Sequence, residues 1–563
     1  MAEEDKKLLR QSVGIVVKVA AVFVVIVSTV MVMQYIQLKK IAPESSEMVP
    51  RLQTQLSKDP ANAELRGRIR ELDLLSRRAW FTGQDQLRTG GWLLLGGGGV
   101  LLLGFIILGL TADKRADKES CPGMVEPRNY ALRISLAVVG SGLFISALAV
   151  AFVYNIADSG KKIPVVIPVQ KVSTEEFYAN WPCFRGPDGR GFAPGKQLFT
   201  DWDIPSGKNL LWKTQVPLPG FSSPIVWNNK VFVTGGSKTA REVYCFDSEN
   251  GKLLWRHAAT DIPGSPETPP KVSSDTGYAA STPATDGHRV FAAFATGDLV
   301  CVDFDGKRVW AKNLGVPENP YGYSSSLLAT PDKLIMQYDD ERRQLLIAFD
   351  AATGREIWRQ ERKAAISWAS PIKIEVNGGN QIIILTCKTV ESYDLETGKQ
   401  LWKQDIMRGE VAVSAAFAGG RVLVANDNAI AAAINPVNGE ILWENEEIDL
   451  PDVSSPVAVG DLMFLFTSGG VVECVDAESG TKLWEKEMDG GFYNSPLLVG
   501  DLIIAINMKG VACIFKPDRK KFDKVAECKV GEMVVATPAP GKKRLWIRGA
   551  KFLYCVGVRE NAE

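Results

Sequence analysis

The chain has 563 residues, 65 Lys and Arg against 65 Asp and Glu, a formal charge of zero and two histidines. That length allows roughly two to four domains. The charge balance gives no argument for nucleic acid; with only His257 and His288, a multi-histidine metal site is nearly excluded, and no Cys-x-x-Cys-His haem motif occurs.

Residues 1–12 are short and charged and read as a cytoplasmic tail. Residues 13–36 form an apolar, β-branched run long enough to span a bilayer. Its far end lacks a small-x-small cleavage site, which favours a first transmembrane helix over a cleaved signal. Lys18 can snorkel from within it. Residues 37–90 are polar and predict an extracytoplasmic helical segment. Asp59-Pro60 suits a helix start, and Leu65, Ile69 and Leu72 share one face. Residues 91–111 read as a second span, with Trp92 at the interface and glycines that permit close helix approach. The four consecutive glycines 96–99 are not a phosphate loop, because no Gly-Lys-Ser/Thr follows. Residues 112–133 predict a cytoplasmic loop rich in Lys and Arg, and 134–156 a third span. Residues 157–180 form a proline-containing linker. The Lys/Arg distribution puts the N-terminus and the 112–133 loop inside, and everything after the third span outside.

From 181 to 558 the chain repeats itself. EVYCFDSENGKLLWR (242–256) returns as LIAFDAATGREIWR (346–359), VESYDLETGKQLWK (390–403), AAAINPVNGEILWE (431–444) and VECVDAESGTKLWE (472–485), with a shorter VCVDFDGKRVWA at 300–311. Each phrase is a strand, a turn opened by Asp or Asn and relieved by Gly, and a strand ending in Trp. A single blade cannot bury both faces, so Trp212, Trp255, Trp310, Trp358, Trp402, Trp443 and Trp484 are the predicted blade-docking residues. Small hydroxyl and proline motifs start eight units: Ser222-Ser223-Pro224, Ser281-Thr282-Pro283, Ser324-Ser325-Ser326, Ser370-Pro371, Ser414-Ala415, Ser454-Ser455-Pro456, Ser495-Pro496 and Thr537-Pro538. They predict innermost strands, where taper around a channel demands small residues. The eighth unit has no closing Trp strand, and Leu210-Leu211-Trp212-Lys213 is spare. The expectation is an all-β eight-bladed propeller closed by that N-terminal strand, preceded by three membrane helices. The seventh blade, 514–528, lacks both the turn Gly and the Trp.

The Ala-x-Asp-x-x-Thr-Gly-x-x-x-Trp pattern, nearly complete in AFDAATGREIW (348–358), resembles the tryptophan-docking repeat of pyrroloquinoline quinone (PQQ) type propellers, and WPCFRGPDGRG (181–191) resembles the start of many bacterial members. Two branches share the repeat: quinoprotein dehydrogenases, and non-enzymatic propellers typified by the lipoprotein of the outer-membrane β-barrel assembly machinery. The dehydrogenase branch implies adjacent cysteines under the cofactor, a Glu/Asn/Asp calcium site and a catalytic Asp. No Cys-Cys pair occurs here, and the calcium ligands match no motif. Asp339-Asp340 and Asp303/Asp305 read as solvated hairpin turns. Cys245, Cys301, Cys474, Cys513 and Cys555 recur at equivalent strand positions and read as small hydrophobes; Cys513 and Cys528 could face each other across one hairpin.

No catalytic, cofactor or metal residue is therefore assigned, and no cofactor is expected; PQQ with calcium belongs to the alternative. Aromatics just before the inner strands, Phe221, Tyr278, Tyr321, Tyr323, Trp368, Phe492 and Tyr493, are the candidate partner-binding mouth, against the alternative that several cap the channel or pack between blades. The expected function is a bacterial inner-membrane, multi-pass scaffold for other envelope proteins, with its propeller periplasmic. The second reading is a PQQ-dependent oxidoreductase feeding the membrane. A ligand sensor is a third, for which the 112–133 loop is too short an output domain.

Overall fold

A computed structural model of the chain describes residues 3–41, 89–108 and 172–559. The chain divides into two compact units, Met1–Ile163 and Pro164–Glu563.

In the first unit, helix α1 runs Glu3–Ile41 and helix α2 runs Thr89–Leu108. Within them Leu8–Met33 and Thr89–Leu108 are long and apolar enough to cross a membrane. Glycines let the two helices approach. A Cβ at Gly97 would lie 2.8 Å from Val24 and 3.2 Å from Phe23, and one at Gly90 would meet Met31 at 2.8 Å. Ile15, Val19, Val25, Leu95 and Leu103 remain exposed. Among the described residues two such spans are found, where three were expected in the whole chain. The expected third span (134–156), the 112–133 loop and nearly all of the helical segment over 37–90 lie outside the described residues.

The second unit is a propeller of eight four-stranded antiparallel blades, one of them carrying a fifth strand. Blade 1 comprises Ile225–Trp227, Lys230–Gly236, Arg241–Asp247 and Leu253–Ala258, and the same meander repeats through blade 7, which ends at Asp523–Lys529. Blade 8 takes Ala539–Pro540, Arg544–Arg548 and Phe552–Gly557 from the C-terminal end and its outer strand, Leu210–Gln215, from before blade 1. Trp212 pairs with Cys555 and Lys213 with Tyr554, so the ring closes by the predicted latch.

The repeated phrase has one mechanical role throughout. Trp358 of blade 3 donates its indole N–H to the Leu395 carbonyl of blade 4 at 3.1 Å, and its ring lies on the blade 4 turn where a Cβ at Gly398 would come within 2.5 Å. Trp212, Trp255, Trp310, Trp402, Trp443 and Trp484 make the equivalent indole bond to the next blade, on Ser248, Phe304, Ala351, Pro436, Ala477 and Asp518. The turn Gly thus serves twice: it takes a positive φ (+70° at Gly398), and its missing side chain seats the neighbour's indole. The residue directly across the sheet from each Trp is small, Cys245, Cys301, Ala348, Ser392, Ala433, Cys474 or Cys555. These cysteines recur because a small side chain is needed opposite an indole, and burial pushes the Cys245, Cys474 and Cys555 thiols up to about 12.

Blade 7 departs from this pattern. Its turn has no Gly, and Phe522 and Phe515 pack on Trp484 instead, with ring centroids 5.9 and 6.4 Å away. Ala526 stands where its own Trp would be, opposite Ile514. The seam toward blade 8 is filled by Trp202 and Ile204, which share a core with Ile514, Ala526, Cys528 and Trp546. Cys513 and Cys528 do not face each other. Cys528 pairs with Ala512 and Cys513 with Glu527, a one-residue offset that turns the two thiols to opposite faces of the sheet. Both are free, and Cys528 contacts the Thr200 carbonyl at 3.2 Å.

The end of the expected linker is also built into the propeller unit. Helix α3, Thr174–Ala179, is capped by the Ser173 side chain, and its Phe177 packs on Trp227 of blade 1 at 5.9 Å.

Candidate functional site

The eight predicted starts converge on the axis and form a closed circle of hydrogen bonds. The Ser223 backbone N–H donates to the Thr282 hydroxyl at 2.9 Å, Thr282 to Ser326 at 3.2 Å, Ser326 to Ser370 at 2.9 Å and Ser370 to Ser414 at 3.0 Å. The circle continues from Ser414 to Ser455 (2.9 Å), Ser455 to Ser495 (3.1 Å), Ser495 to Thr537 (2.9 Å) and back from Thr537 to Ser223 (3.0 Å). Ser and Thr are required rather than merely small, because each blade's buried N–H finds its acceptor on the next blade's side chain.

One end of the channel is closed by residues 181–196, which touch every blade. Trp181 exchanges backbone bonds of 2.9 Å with Val226 of blade 1, and the Pro182 carbonyl accepts from Thr285 of blade 2 at 2.9 Å. The Cys183 sulfur accepts from the Ala329 N–H of blade 3 at 3.2 Å, and the Asp188 carbonyl from Lys373 of blade 4 at 2.8 Å. Arg185, 1% exposed, donates to the carbonyls of Ala415 in blade 5 and Pro456 beside blade 6. Phe192–Ala193 adds a parallel strand to blade 7, and the Lys196 ammonium reaches the Pro540 carbonyl of blade 8 at 3.0 Å. Burial lowers the Arg185 guanidinium to about 9. Gly189 and Gly191 are needed where the segment passes the inner strands, since added Cβ atoms would lie 3.0 Å from the Pro371 carbonyl and 3.1 Å from that of Pro496. In the sequence, 181–191 stands out only by its family resemblance; its glycine density is the local signal for such close backbone approach.

The other end opens as a funnel of about 610 Å³. Phe184 of the plug lines it, together with seven of the eight ring residues, all but Ser414. Of the seven predicted mouth aromatics, Phe221, Tyr321, Trp368 and Tyr493 line the funnel. Tyr321 and Trp368 stand edge to face with centroids 5.2 Å apart. Trp368 is fixed by a 2.6 Å bond from its indole N–H to Asn319, and the Tyr321 hydroxyl donates to Glu410 at 3.0 Å, which raises its pKa. The other three lie in the protein interior. Tyr278 bonds the Pro270 carbonyl, Tyr323 bonds the Gln337 carbonyl and stacks on Tyr338, and Phe492 packs edge-on against Phe466. All three immediately precede inner strands like the lining residues, so sequence position alone does not separate the two sets.

Sequence reading missed the funnel's acids. Asp275, Glu410, Asp427 and Asp452 line it, and the lining contains no Lys or Arg. Their side chains accept hydrogen bonds from neutral groups: Ser273 and Ser274, Tyr321, Asn428 and the Ser468 N–H. Among the described residues no cation lies within ion-pairing distance of any of the four.

Two other acidic clusters are structural. Asp339 and Asp340 are not solvated turn residues; they are 2% and 1% exposed. Asp339 binds Arg362, which also reaches Glu391 at 3.3 Å across the blade 3–blade 4 seam, while Asp340 pairs with Arg343 at 2.9 Å. The two carboxylates can be buried there because Arg362 lies between them and the Lys403 ammonium stands 3.7 Å from Glu391. Asp449, Glu473 and Glu485 bring carboxylate oxygens within 4.8 Å of one another, and the Lys482 ammonium already serves them, 2.6 Å from Glu485 and 3.4 Å from Glu473.

The profile of the family described as outer membrane protein assembly factor BamB matches residues 184–331 and 342–521. The chain belongs to this BamB-like family of PQQ-type repeat propellers. The BamB protein of Burkholderia pseudomallei is 23% identical over 52% of this chain and 84% of its own length. That of Yersinia pestis is 25% identical over 38% of this chain and 57% of its own. The matched stretch spans 57, 49 and 62% of three of these curated relatives. A quinoprotein ethanol dehydrogenase of Pseudomonas aeruginosa is 31% identical, but over 17% of this chain and 16% of its own. Among solved structures, a europium-containing methanol dehydrogenase superposes with a TM-score of 0.52 at 11% identity, covering 68% of this chain and 99% of its own, a likeness of fold alone.

Proposed function

We propose that this BamB-like chain is a membrane-anchored scaffold that binds or assembles other envelope proteins, with the funnel as its docking site. The observation that carries this reading is the funnel: an aromatic-walled pocket of about 610 Å³, open at one end and sealed at the other by the chain itself. A plugged channel conducts nothing, while a pocket rimmed by Phe221, Tyr321, Trp368 and Tyr493 has the composition of a protein-binding hot spot. The family relatives, named as outer membrane assembly factors, support a scaffold role. Leu8–Met33 and Thr89–Leu108 supply the membrane anchor in this reading, with the propeller on the periplasmic face of the inner membrane.

The dehydrogenase alternative fits the funnel poorly. PQQ is a tricarboxylate, and the pocket would set it against four carboxylates with no Lys or Arg in the lining. Like charges held in one pocket repel, the more so away from bulk water.

Gentle detergent purification of the full chain, followed by mass spectrometry, tests the proposal. A stoichiometric protein partner, lost when Trp368→Ala and Tyr493→Ala are combined, is the expected result. A chain that purifies alone, and reduces dye once supplied with PQQ, calcium and an oxidisable alcohol, would overturn it.

A further inference from the structure

The funnel's chemistry narrows the partner. We infer that it takes a Lys- or Arg-bearing loop of a partner protein, seated with its backbone on the hydroxyl ring and its cationic side chains at the rim; this rests on the scaffold reading above.

Three independent features agree. The first is charge: Asp275, Glu410, Asp427 and Asp452 face one cavity with no Lys or Arg in its lining and no ion-pair partner among the described residues. Uncompensated carboxylates around a concave wall focus a negative potential that draws in cations and repels anions. The second is the aromatic wall. Trp368, Tyr321 and Tyr493 line the same cavity, aromatic side chains of the kind that attract a cation, and Trp368 is held in place by Asn319. The third is the ring beneath. Ser223, Thr282, Ser326, Ser370, Ser455, Ser495 and Thr537 are all more than 90% buried and line the cavity. Each uses its oxygen to accept the preceding blade's N–H, and no protein acceptor for the hydroxyl proton occurs among the described residues. Those protons suit an occupant with hydrogen-bond acceptors. Peptide carbonyls supply acceptors, whereas a simple polyamine has cations and none. Cationic side chains on a carbonyl-bearing backbone are what the rim and the ring together select.

The test uses the full chain in detergent and fluorescence anisotropy. Two labelled decapeptides share a Gly-Ser background, one with Arg at alternate positions and one with Glu there; spermidine is the competitor. The Arg peptide is expected to bind and the Glu peptide not to. Affinity should fall as salt rises, and drop about tenfold in the Glu410→Gln, Asp427→Asn double variant. Both substituted residues are exposed, so an unchanged melting temperature shows that the variant is folded. Asp305→Asn, on an exposed turn elsewhere, should bind as the parent does. Equal binding of both peptides, no binding of either, or indifference to the double variant overturns the inference. Displacement by spermidine as effective as by unlabelled Arg peptide overturns the peptide occupant. If a protein still co-purifies in any of those cases, the scaffold reading survives and only the cationic partner is lost; if none does, the scaffold reading fails with it.

Discussion

At the scale of single residues, the propeller is held by side chains that each serve a neighbouring blade. Ser414→Ala removes the acceptor for the buried Ser370 N–H, bonded at 3.0 Å. An orphaned buried donor costs about 1–3 kcal/mol, so the variant should unfold at lower denaturant with an unchanged slope. Ser414→Thr keeps the hydroxyl, as Thr282 and Thr537 do in the same ring, and should restore most of the loss. Gly398→Ala is expected to cost about 1–3 kcal/mol, because the turn needs φ near +70° and the new methyl meets the Trp358 indole. Combined with Trp358→Ala it should cost less than the two changes added, since the clash disappears with the ring. The sequence showed where Trp and Gly recur; that each Gly seats the preceding blade's Trp is a relation between segments about one repeat apart, which no single hairpin displays. Likewise the inner Ser and Thr were legible as small residues, but not as a closed ring of acceptors.

At the scale of strands and blades, the latch was legible because the repeat count came out one strand short at the C-terminal end and one long before blade 1. Turn chemistry was legible for the same reason: Asp394 accepts from the Thr397 N–H at 2.7 Å, a local bond written in local residues. Register was harder. Cys513 and Cys528 sit on paired strands, yet a one-residue offset separates their faces, and only the structure fixes that offset. Blade 6 carries an electrostatic cost. Glu473 lies directly across the sheet from Glu485, and burial raises its carboxyl above the usual 4.5 despite the Lys482 ammonium 3.4 Å away. The fold therefore holds that proton more tightly than the unfolded chain does. Stability from this site is fully present below the ordinary glutamate value and is lost as pH rises through the raised one. Glu473→Gln should remove the slope, so its melting temperature relative to the parent should rise between about pH 4 and about pH 7. A difference that shrinks over that range would contradict the assignment.

At the scale of the whole propeller, the 181–196 plug and the funnel are two ends of one channel. The plug ties all eight blades to a single segment, so damage to it should be felt globally. Arg185→Ala leaves the carbonyls of Ala415 and Pro456 without their donor. It should lower the melting temperature of the propeller as one cooperative transition rather than loosen one blade. Four of the seven aromatics read from the sequence line the funnel, but nothing in the sequence indicates that Asp275, Glu410, Asp427 and Asp452, scattered from 275 to 452, line the same pocket. Acidic loop residues are ordinary one at a time; only closure of the ring makes them a rim. The central claim is that this rim, and not the outer edge of the blades, meets the partner. Its most direct test is site-specific photocrosslinking in intact cells, with a benzophenone amino acid placed at Tyr493 on the funnel and at Ile357 on the exposed outer strand of blade 3. The account predicts one discrete protein adduct from Tyr493 and none from Ile357. An adduct from Ile357 alone, or none from Tyr493, would contradict it.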